Sequence, residues 1–291
     1  MLDAYVLFGA IAASLVLTQL NQRLASPVLA IFNRWLRWVI FSLGAASVCR
    51  QFELIDRPFW ALLVGFALIY FLVETGYRWL EIHALSVSPM PLFPRFAVNS
   101  SGEEWPTHPR SLALREWLRQ RGFRALQSLK AEVGIGIYLR TSIYQDATGT
   151  LRVQVTFLPQ AGGGIAVCHT FSTQTTDGNR IVTDNLFLPF GGFYPESWFV
   201  ERHPWTRSAA SLLERHEARV RAAGAPPSVW DLEPLGDLNQ QQREVERINT
   251  ELGFLLPHAE RDDHGKISHE GRYRVWKEVW SLNYLGLAAR Y

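Results

Sequence analysis

The fold class is decided by the stretch PFWALLVGFALIYFLV, residues 58–73, which contains no charged side chain. A helix of about 20 apolar residues crosses the roughly 30 Å hydrocarbon core of a bilayer. Pro58 suits the first turn of a helix, where its missing N–H costs nothing. Aromatic residues at both ends, Phe59 and Trp60, then Tyr77 and Trp79, are typical of the interfacial belt of a membrane protein. The stretch is therefore predicted to span a membrane.

A second apolar stretch lies at the start of the chain. Residues 4–22 contain no charge and are long enough for a helix that crosses the bilayer. A cleaved signal peptide is the alternative, but such peptides begin with basic residues, and this chain begins Met1-Leu-Asp. A retained transmembrane helix is the favoured interpretation.

The middle apolar stretch is shorter. Residues 38–49 give only 12 uncharged positions, too few to cross alone. Upstream, Arg34 and Arg37 are three residues apart and share one helix face. One interpretation is a crossing helix whose arginines extend to the interface; the other is a re-entrant hairpin. The crossing is favoured, so we expect two or three spans in the first 85 residues.

Charge is distributed unevenly along the 291 residues. Residues 1–94 carry 11 charged side chains and residues 95–291 carry 45. Five prolines lie between residues 86 and 109, and proline disfavours both helices and central strands. We therefore predict a transmembrane anchor (1–85), a proline-rich linker (86–109) and a soluble domain (110–291).

The soluble domain shows the two-residue period of strands. Apolar and polar residues alternate on both sides of two short turns that contain glycine, around Gly149 and Gly178, which is typical of hairpins. Four strands are predicted, at residues 135–144, 151–157, 165–175 and 180–188. The fold class that follows is a membrane-anchored α+β protein with a four-stranded antiparallel sheet packed by helices.

Arginine positions predict the orientation. With three spans, the first loop and the soluble domain lie on one side of the membrane. Five arginines are on that side and two on the other: Arg23, Arg34, Arg37, Arg78 and Arg95 against Arg50 and Arg57. The positive-inside rule then places the soluble domain in the cytoplasm, at the inner membrane of a bacterial cell.

Two groups of residues are candidates for contacts at the membrane. Glu74 is expected at the depth of Arg34 and Arg37, where it forms a buried ion pair with one of them or faces the lipid headgroups. Trp276 and Trp280 lie on the broad apolar side of a C-terminal helix predicted over residues 272–290. Such a helix packs on the protein core or lies along the membrane surface.

An aromatic-rich passage at residues 189–205 is the candidate ligand pocket. It contains Trp198 and Trp205, and the polar residues Asp184 and His203 lie close to it in sequence. Pockets for small ligands are usually aromatic with a few polar groups.

The remaining motifs carry weaker signals. The residues 258–264 contain two histidines and two aspartates, but flanking Pro257 and Gly265 indicate an exposed loop, so no metal site is expected. No cofactor motif occurs, and a formal net charge of +2 argues against a nucleic-acid partner. Four arginines could meet anionic headgroups, although two nearby glutamates favour a solvated face: Arg207, Arg215, Arg219 and Arg221, with Glu214 and Glu217.

These observations predict a non-enzymatic, membrane-tethered interaction module or accessory subunit of a larger membrane complex, with no catalytic residues. Membrane lipid and protein partners within the membrane are expected, because Arg34 and Arg37 are better accommodated beside protein than beside lipid. The alternative function is a membrane-anchored enzyme or small-ligand receptor that uses the aromatic passage.

Overall fold

The computed structural model describes residues 2–160 and 164–289. Its N-terminal third consists of three long helices, α1 (Leu2–Leu24), α2 (Pro27–Gln51) and α3 (Phe59–Val87). Each is long and apolar enough to cross a membrane, and no more than 17% of any apolar window is buried inside the protein. Large apolar side chains such as Phe8 (70% exposed) and Leu72 (65%) therefore face outward, as lipid-facing residues do.

The middle apolar stretch forms one continuous helix rather than a hairpin. α2 contains 25 residues and begins with Pro27; at 1.5 Å per residue it is about 37 Å long. Arg34 and Arg37 lie within its first half instead of ending it. The anchor therefore contains three candidate spans.

The rest of the chain is a mixed α+β domain. Its helices are α4 (Pro109–Gln120), α5 (Ala209–Ala223), α6 (Pro234–Glu251), α7 (Arg261–His264) and α8 (His269–Trp280). Its strands are β1 (Ala97–Val98), β2 (Arg124–Gly134), β3 (Ile137–Gln145), β4 (Leu151–Pro159), β5 (Ile165–Thr175), β6 (Arg180–Asp184), β7 (Trp198–Arg202) and β8 (Pro227–Ser228). A π-helical turn, Ser281–Leu285, follows α8.

The prediction of a four-stranded antiparallel sheet is wrong. The sheet has eight strands in the order β1 to β7, with β8 paired to the end of β5. It is mixed, because β7 runs parallel to β6. The four predicted strands correspond to β3, β4, β5 and β6, the last of which ends at Asp184 rather than residue 188.

The unpredicted strands lack a clean two-residue period. β2 pairs with β3 along 11 residues, but its register shifts between Ala125 and Gln127 and again between Glu132 and Gly134. Each irregularity turns the following side chains to the other face, which removes the alternation that identifies a strand. β1 and β8 have two residues each, and β1 lies inside the proline-rich stretch.

Helices cover both faces of the sheet. On one face α4 and α5 contribute Leu118 and Leu212 to a core with Val155 and Phe171 of the sheet. On the other face α6 packs Leu238 against a second core, which contains Leu129, Ala131 and Ile143. Tyr144 and Ile143 thus belong to different cores, as neighbours in a strand must.

The end of α3 is part of the soluble domain. Ile82 of α3 packs with Phe254, Ile267 and Val275 in a third core. Ser86, fully buried, accepts the Lys266 N–H with its carbonyl at 2.9 Å. The last two turns of the third span therefore continue into the core and fix the domain on the anchor.

One end of the sheet faces the membrane anchor. Gly164, just before β5, lies against the end of α1, where a Cβ on it would overlap the carbonyl oxygen of Gln22. Arg207, shortly after β7, donates to the carbonyl of Leu24. β5 begins at this end and β6 and β7 finish there, so the opposite turns, around Gly149 and Gly178, point away from the membrane.

The buried side chain of His216 should make the stability of the folded protein depend on pH. Its ring is buried between α5 and the sheet, 2.9 Å from Thr173 Oγ1 and 3.0 Å from Thr183 Oγ1. Burial lowers its pKa to about 3, so below the ordinary value of 6.5 the unfolded chain binds a proton that the folded chain does not. This histidine is expected to cost about 2 kcal/mol of stability at pH 5 relative to pH 7.5.

Thermal unfolding of the full chain in detergent at pH 7.5 and 5.0 measures this effect. His216→Gln should narrow the difference in Tm between the two pH values, whereas His258→Gln, at a side chain that is 76% exposed, should leave it unchanged. An equal difference for both variants would contradict the assignment to His216.

Candidate functional site

The C-terminal helix attaches the soluble domain to the anchor through aromatic rings. The Trp280 ring lies 4.9 Å from Phe71 of α3 and 4.3 Å from Tyr284. Trp38 of α2 reaches the same cluster, 5.9 Å from Trp280, and stacks on Trp35 at 5.2 Å. Each such pair contributes about 0.5–1.5 kcal/mol beyond the burial of its area. Trp280 therefore lies against the spans.

Trp276 lies one turn earlier on α8 and stacks on Tyr273 at 5.7 Å. It packs against the third core, which contains Ile82 of α3 and Val279. The helix predicted over residues 272–290 ends at Trp280 instead. There the chain changes from α-helical hydrogen bonding to the π-helical turn.

Arg34 and Trp35 fix the end of that turn. Arg34 Nη1 donates to the Asn283 carbonyl at 3.1 Å, and Trp35 Nε1 donates to the Tyr284 carbonyl at 2.8 Å. The last carbonyls of a helix have no partner within it and attract cations. Arg34 is thus accommodated within the span by protein rather than by lipid.

Arg37 and Glu74 have other partners. Arg37 Nη2 donates to Thr18 Oγ1 of α1 at 2.9 Å. Glu74 forms a 2.6 Å ion pair with Arg78 of its own helix, and among the described contacts it has no ion pair with either predicted arginine. A further polar contact joins α1 and α2. The Asn33 side-chain oxygen accepts from the Ser14 hydroxyl at 2.7 Å.

Asp184 and His203 are neighbours whose side chains have different partners. The His203 N–H donates to the Asp184 carbonyl at 2.7 Å. The Asp184 carboxylate lies 3.6 Å from Arg202 Nε, whereas His203 Nε2 lies 3.1 Å from Glu201. Burial raises the pKa of Asp184 to about 6 and lowers that of His203.

The aromatic passage does border a cavity, of about 830 Å³. Trp198 lines it together with Phe193, Tyr273 and Lys277, but neither Asp184 nor His203 is among its lining residues. Trp205 lies elsewhere, donating its indole N–H to the Gly286 carbonyl at 2.6 Å. A receptor or enzyme that uses this passage stays a prediction.

A larger cavity, of about 1140 Å³, lies at the junction between the anchor and the soluble domain. Four parts of the chain form it: the turn between α1 and α2, the start of α4, the start of α5, and the end of the sheet that faces the anchor. Gln22 and Pro27 contribute from the anchor, and Ile165, Asn185 and Phe187 from the sheet. Since α1 ends at the cavity, the cavity lies where the first span leaves the membrane.

The ionisable lining of this junction cavity is basic. Arg23, Arg110 and Arg207 line it with His108 and His169, and none of the described lining residues carries a carboxylate. None of the three arginines has an ion pair within the described residues. Burial lowers the pKa of the Arg207 guanidinium, and the positive charge of Arg110 lowers it further. The two arginines therefore repel each other across a site that an anion would stabilise.

Helix N-termini add partial positive charge. Ser208 caps α5 by accepting the Ser211 N–H at 3.3 Å, and Ser208, Ala209 and Ala210 line the cavity. α4 and α2 also begin at its wall, through Arg110 and Pro27. The first N–H groups of a helix lack partners within it and favour anions, and the first residues of three helices line this one space.

His169 supplies a separate polar signal. It is 5% exposed and lines the cavity, and its Nδ1 has no hydrogen-bond partner among the described residues. Burial lowers its pKa to about 4, so the ring is neutral at pH 7. A buried polar atom without a partner is costly, so a polar group in the cavity would be stabilised by bonding to this nitrogen.

Of the residues in this cavity, sequence reasoning had considered Arg207 for anionic headgroups but had favoured a solvated face. Two other arginines of the same predicted face have different surroundings in the structure. Arg219 pairs with Glu201 at 3.0 Å, and the Arg221 side chain is 72% exposed. Arg110 was missed because it follows a proline-rich stretch more than 90 residues from Arg207. No spacing in the sequence joins them.

No protein-family model, curated protein or solved structure matches this chain. The interpretation of the site therefore depends on its own geometry.

A substitution at Gly286 tests how the C-terminal segment is attached to the soluble domain, through the contact of Gly286 with Trp205. Its φ of +65° is left-handed, and a Cβ there would overlap the Trp205 ring. Gly286→Ala should destabilise the full chain by at least about 2 kcal/mol, combining backbone strain with the displaced ring. Gly236→Ala is the matched control, because nothing lies within 4 Å of its Cβ position in α6; it should be neutral or stabilising by up to about 1 kcal/mol. Equal Tm values for the two variants in detergent would refute this attachment.

Proposed function

We propose that this protein is a non-enzymatic, membrane-anchored binding protein that holds a phosphate-class anionic group in the junction cavity. The observation that carries the proposal is the absence of carboxylates from a lining that includes three arginines without ion pairs among the described residues. Arginine presents its donors in a planar fork that matches phosphate oxygens. An anion there would relieve the repulsion between Arg110 and Arg207.

The chemistry of the lining favours binding over catalysis. Burial raises the pKa of the Cys168 thiol to about 12, so it is protonated and a weak nucleophile. Cys168 and His169 are adjacent in β5, and neighbours in a strand point to opposite faces. Guanidinium groups bind and orient anions but do not exchange protons at neutral pH.

The position of the cavity suggests where the anion comes from. Gln19, Gln22 and Arg23 of the first span form part of its wall, so it opens at the depth of lipid headgroups. The phosphate of an anionic phospholipid and a free phosphate share the same recognition chemistry. We place the soluble domain on the cytoplasmic side of a bacterial inner membrane, on the support of the arginine distribution.

Charge-removing variants test the proposal on the full chain in an uncharged detergent. Binding of inorganic phosphate is measured by calorimetry, and retention of phosphatidylglycerol against phosphatidylcholine by native mass spectrometry. The double variant Arg110→Gln with Arg207→Gln should bind the anion at least tenfold more weakly, because both charge-assisted contacts are lost.

The matched control is Arg119→Gln with Arg221→Gln, which removes the same amount of charge at exposed positions of α4 and α5. It should bind like the unsubstituted protein. Saturable binding of free phosphate would identify a soluble ligand, and selective retention of phosphatidylglycerol a lipid headgroup. Absence of both, or equal losses in the two double variants, would overturn the proposal.

An accessory subunit of a membrane complex is the second candidate function. It is favoured by Arg37, which is exposed on α2 and whose described hydrogen bond is to the neutral Thr18 hydroxyl. A charged group on the outside of a span is expensive in lipid and better placed against a partner helix that carries a carboxylate.

Crosslinking in native membranes tests that candidate. A discrete crosslinked species should be lost in Arg37→Leu and kept in Arg57→Leu, which removes an exposed charge from the loop between α2 and α3. If no species forms, or if both variants behave alike, Arg37 does not contact a partner.

A further inference from the structure

The turn between β2 and β3 carries the most exposed large apolar side chain of the soluble domain among the described residues. Ile135 is 96% exposed, and Ile137 beside it is 51% exposed. Gly136 has a φ of +70°, which lets two residues reverse the chain and places Ile135 at the tip. Water-soluble hairpins normally place polar residues at this position.

This tip is at the end of the sheet that faces the anchor. β2 finishes there and β3 begins there, as β4 finishes and β5 begins. The register pairs Arg140 of β3 with Phe157 of β4, and Pro159 with Ile165. Continuing it by three residues brings Ile137 level with Gln160, whose N–H donates to the Gly164 carbonyl. Gly164 lies against Gln22 at the end of the first span.

Residues that leave the third span also reach the tip. Met90, three residues beyond the end of α3, places its sulfur 3.4 Å from the Cβ position of Gly134. Met90 is itself 38% exposed. The hairpin tip and the end of α3 thus form one exposed apolar patch that continues from the transmembrane anchor.

The turns at the opposite end of the sheet have the contrary character. The β3–β4 turn contains Asp146 and Thr148, and the β5–β6 turn contains Asp177 and Asn179. Their side chains hydrogen-bond within the turn, as in the 2.7 Å contact from Asn179 to Asp177. The β2–β3 turn on the anchor side is thus apolar and the two far turns are polar, which is the distribution that a membrane surface imposes.

We propose that the β2–β3 tip, through Ile135 and Ile137, enters the lipid bilayer and provides a membrane contact additional to the three spans. The occupant of the patch is lipid, since the patch is continuous with the anchor and faces the same surface. Apolar burial is non-directional and requires no specific partner. The contact holds the β1–β3 side of the sheet at the membrane, on the opposite flank from the junction cavity.

Spin labels on the full chain in phosphatidylcholine vesicles test the proposal. A nitroxide is attached to Ile135→Cys and, as the matched control, to Thr148→Cys at the tip of a far turn. Both native cysteines are buried, and the unsubstituted chain carried through the same labelling gives the background. Collisions with oxygen, which concentrates in the hydrocarbon, are compared with collisions with a water-soluble nickel chelate.

The label at 135 should favour oxygen over the nickel chelate at least threefold relative to the label at 148. If both labels collide equally with the chelate, the tip lies in water and the proposal fails. If the label at 135 is protected from both reagents, protein covers the tip and the proposal fails as well. The assay contains no anionic ligand, so either result leaves the junction cavity to its own test.

Discussion

The packing of the C-terminal helix against the second and third spans is the constraint on which the rest of the structure depends. Trp280 contacts Phe71 and Trp38, and the end of α3 continues into the core through Ile82. Soluble domains joined to a membrane by a linker alone are free to change orientation. Here two contact regions on different spans restrict that freedom, and one end of the sheet is held towards the bilayer.

The same packing explains how a charged residue is tolerated within a span. A buried guanidinium needs several acceptors, because each lost hydrogen bond to water is costly in a medium of low polarity. One acceptor for Arg34 is the Asn283 carbonyl in the π-helical turn. The last carbonyls of the π-helical turn need donors, and the Trp35 indole N–H is a second donor. The arginine and the helix end therefore stabilise each other.

The sequence predicts those parts of the fold that depend on local periodicity. Residues 58–73 identify a span, and the alternation around Gly149 and Gly178 identifies two hairpins, because both signals are complete within a short window. β2 was missed because its two register shifts interrupt the alternation. The junction cavity was also beyond prediction, since Arg23, Arg110 and Arg207 are distant in sequence and meet only when the sheet is held against the anchor. Trp198 lines a cavity, whereas its expected polar partners Asp184 and His203 are not among the lining residues.

The junction cavity is a place where several positive charges meet without an acidic partner among the described lining residues. Several other arginines of the soluble domain have acidic partners, and the buried Arg180 lies 2.5 Å from Asp237. At the junction, three arginines contribute positive potential without a carboxylate among the described lining residues. Such an arrangement destabilises the isolated protein, and exceptions of this kind are concentrated at functional sites. Binding of an anion would remove this electrostatic cost. The stability that the unliganded protein lacks at this position would then add to its affinity for the anion.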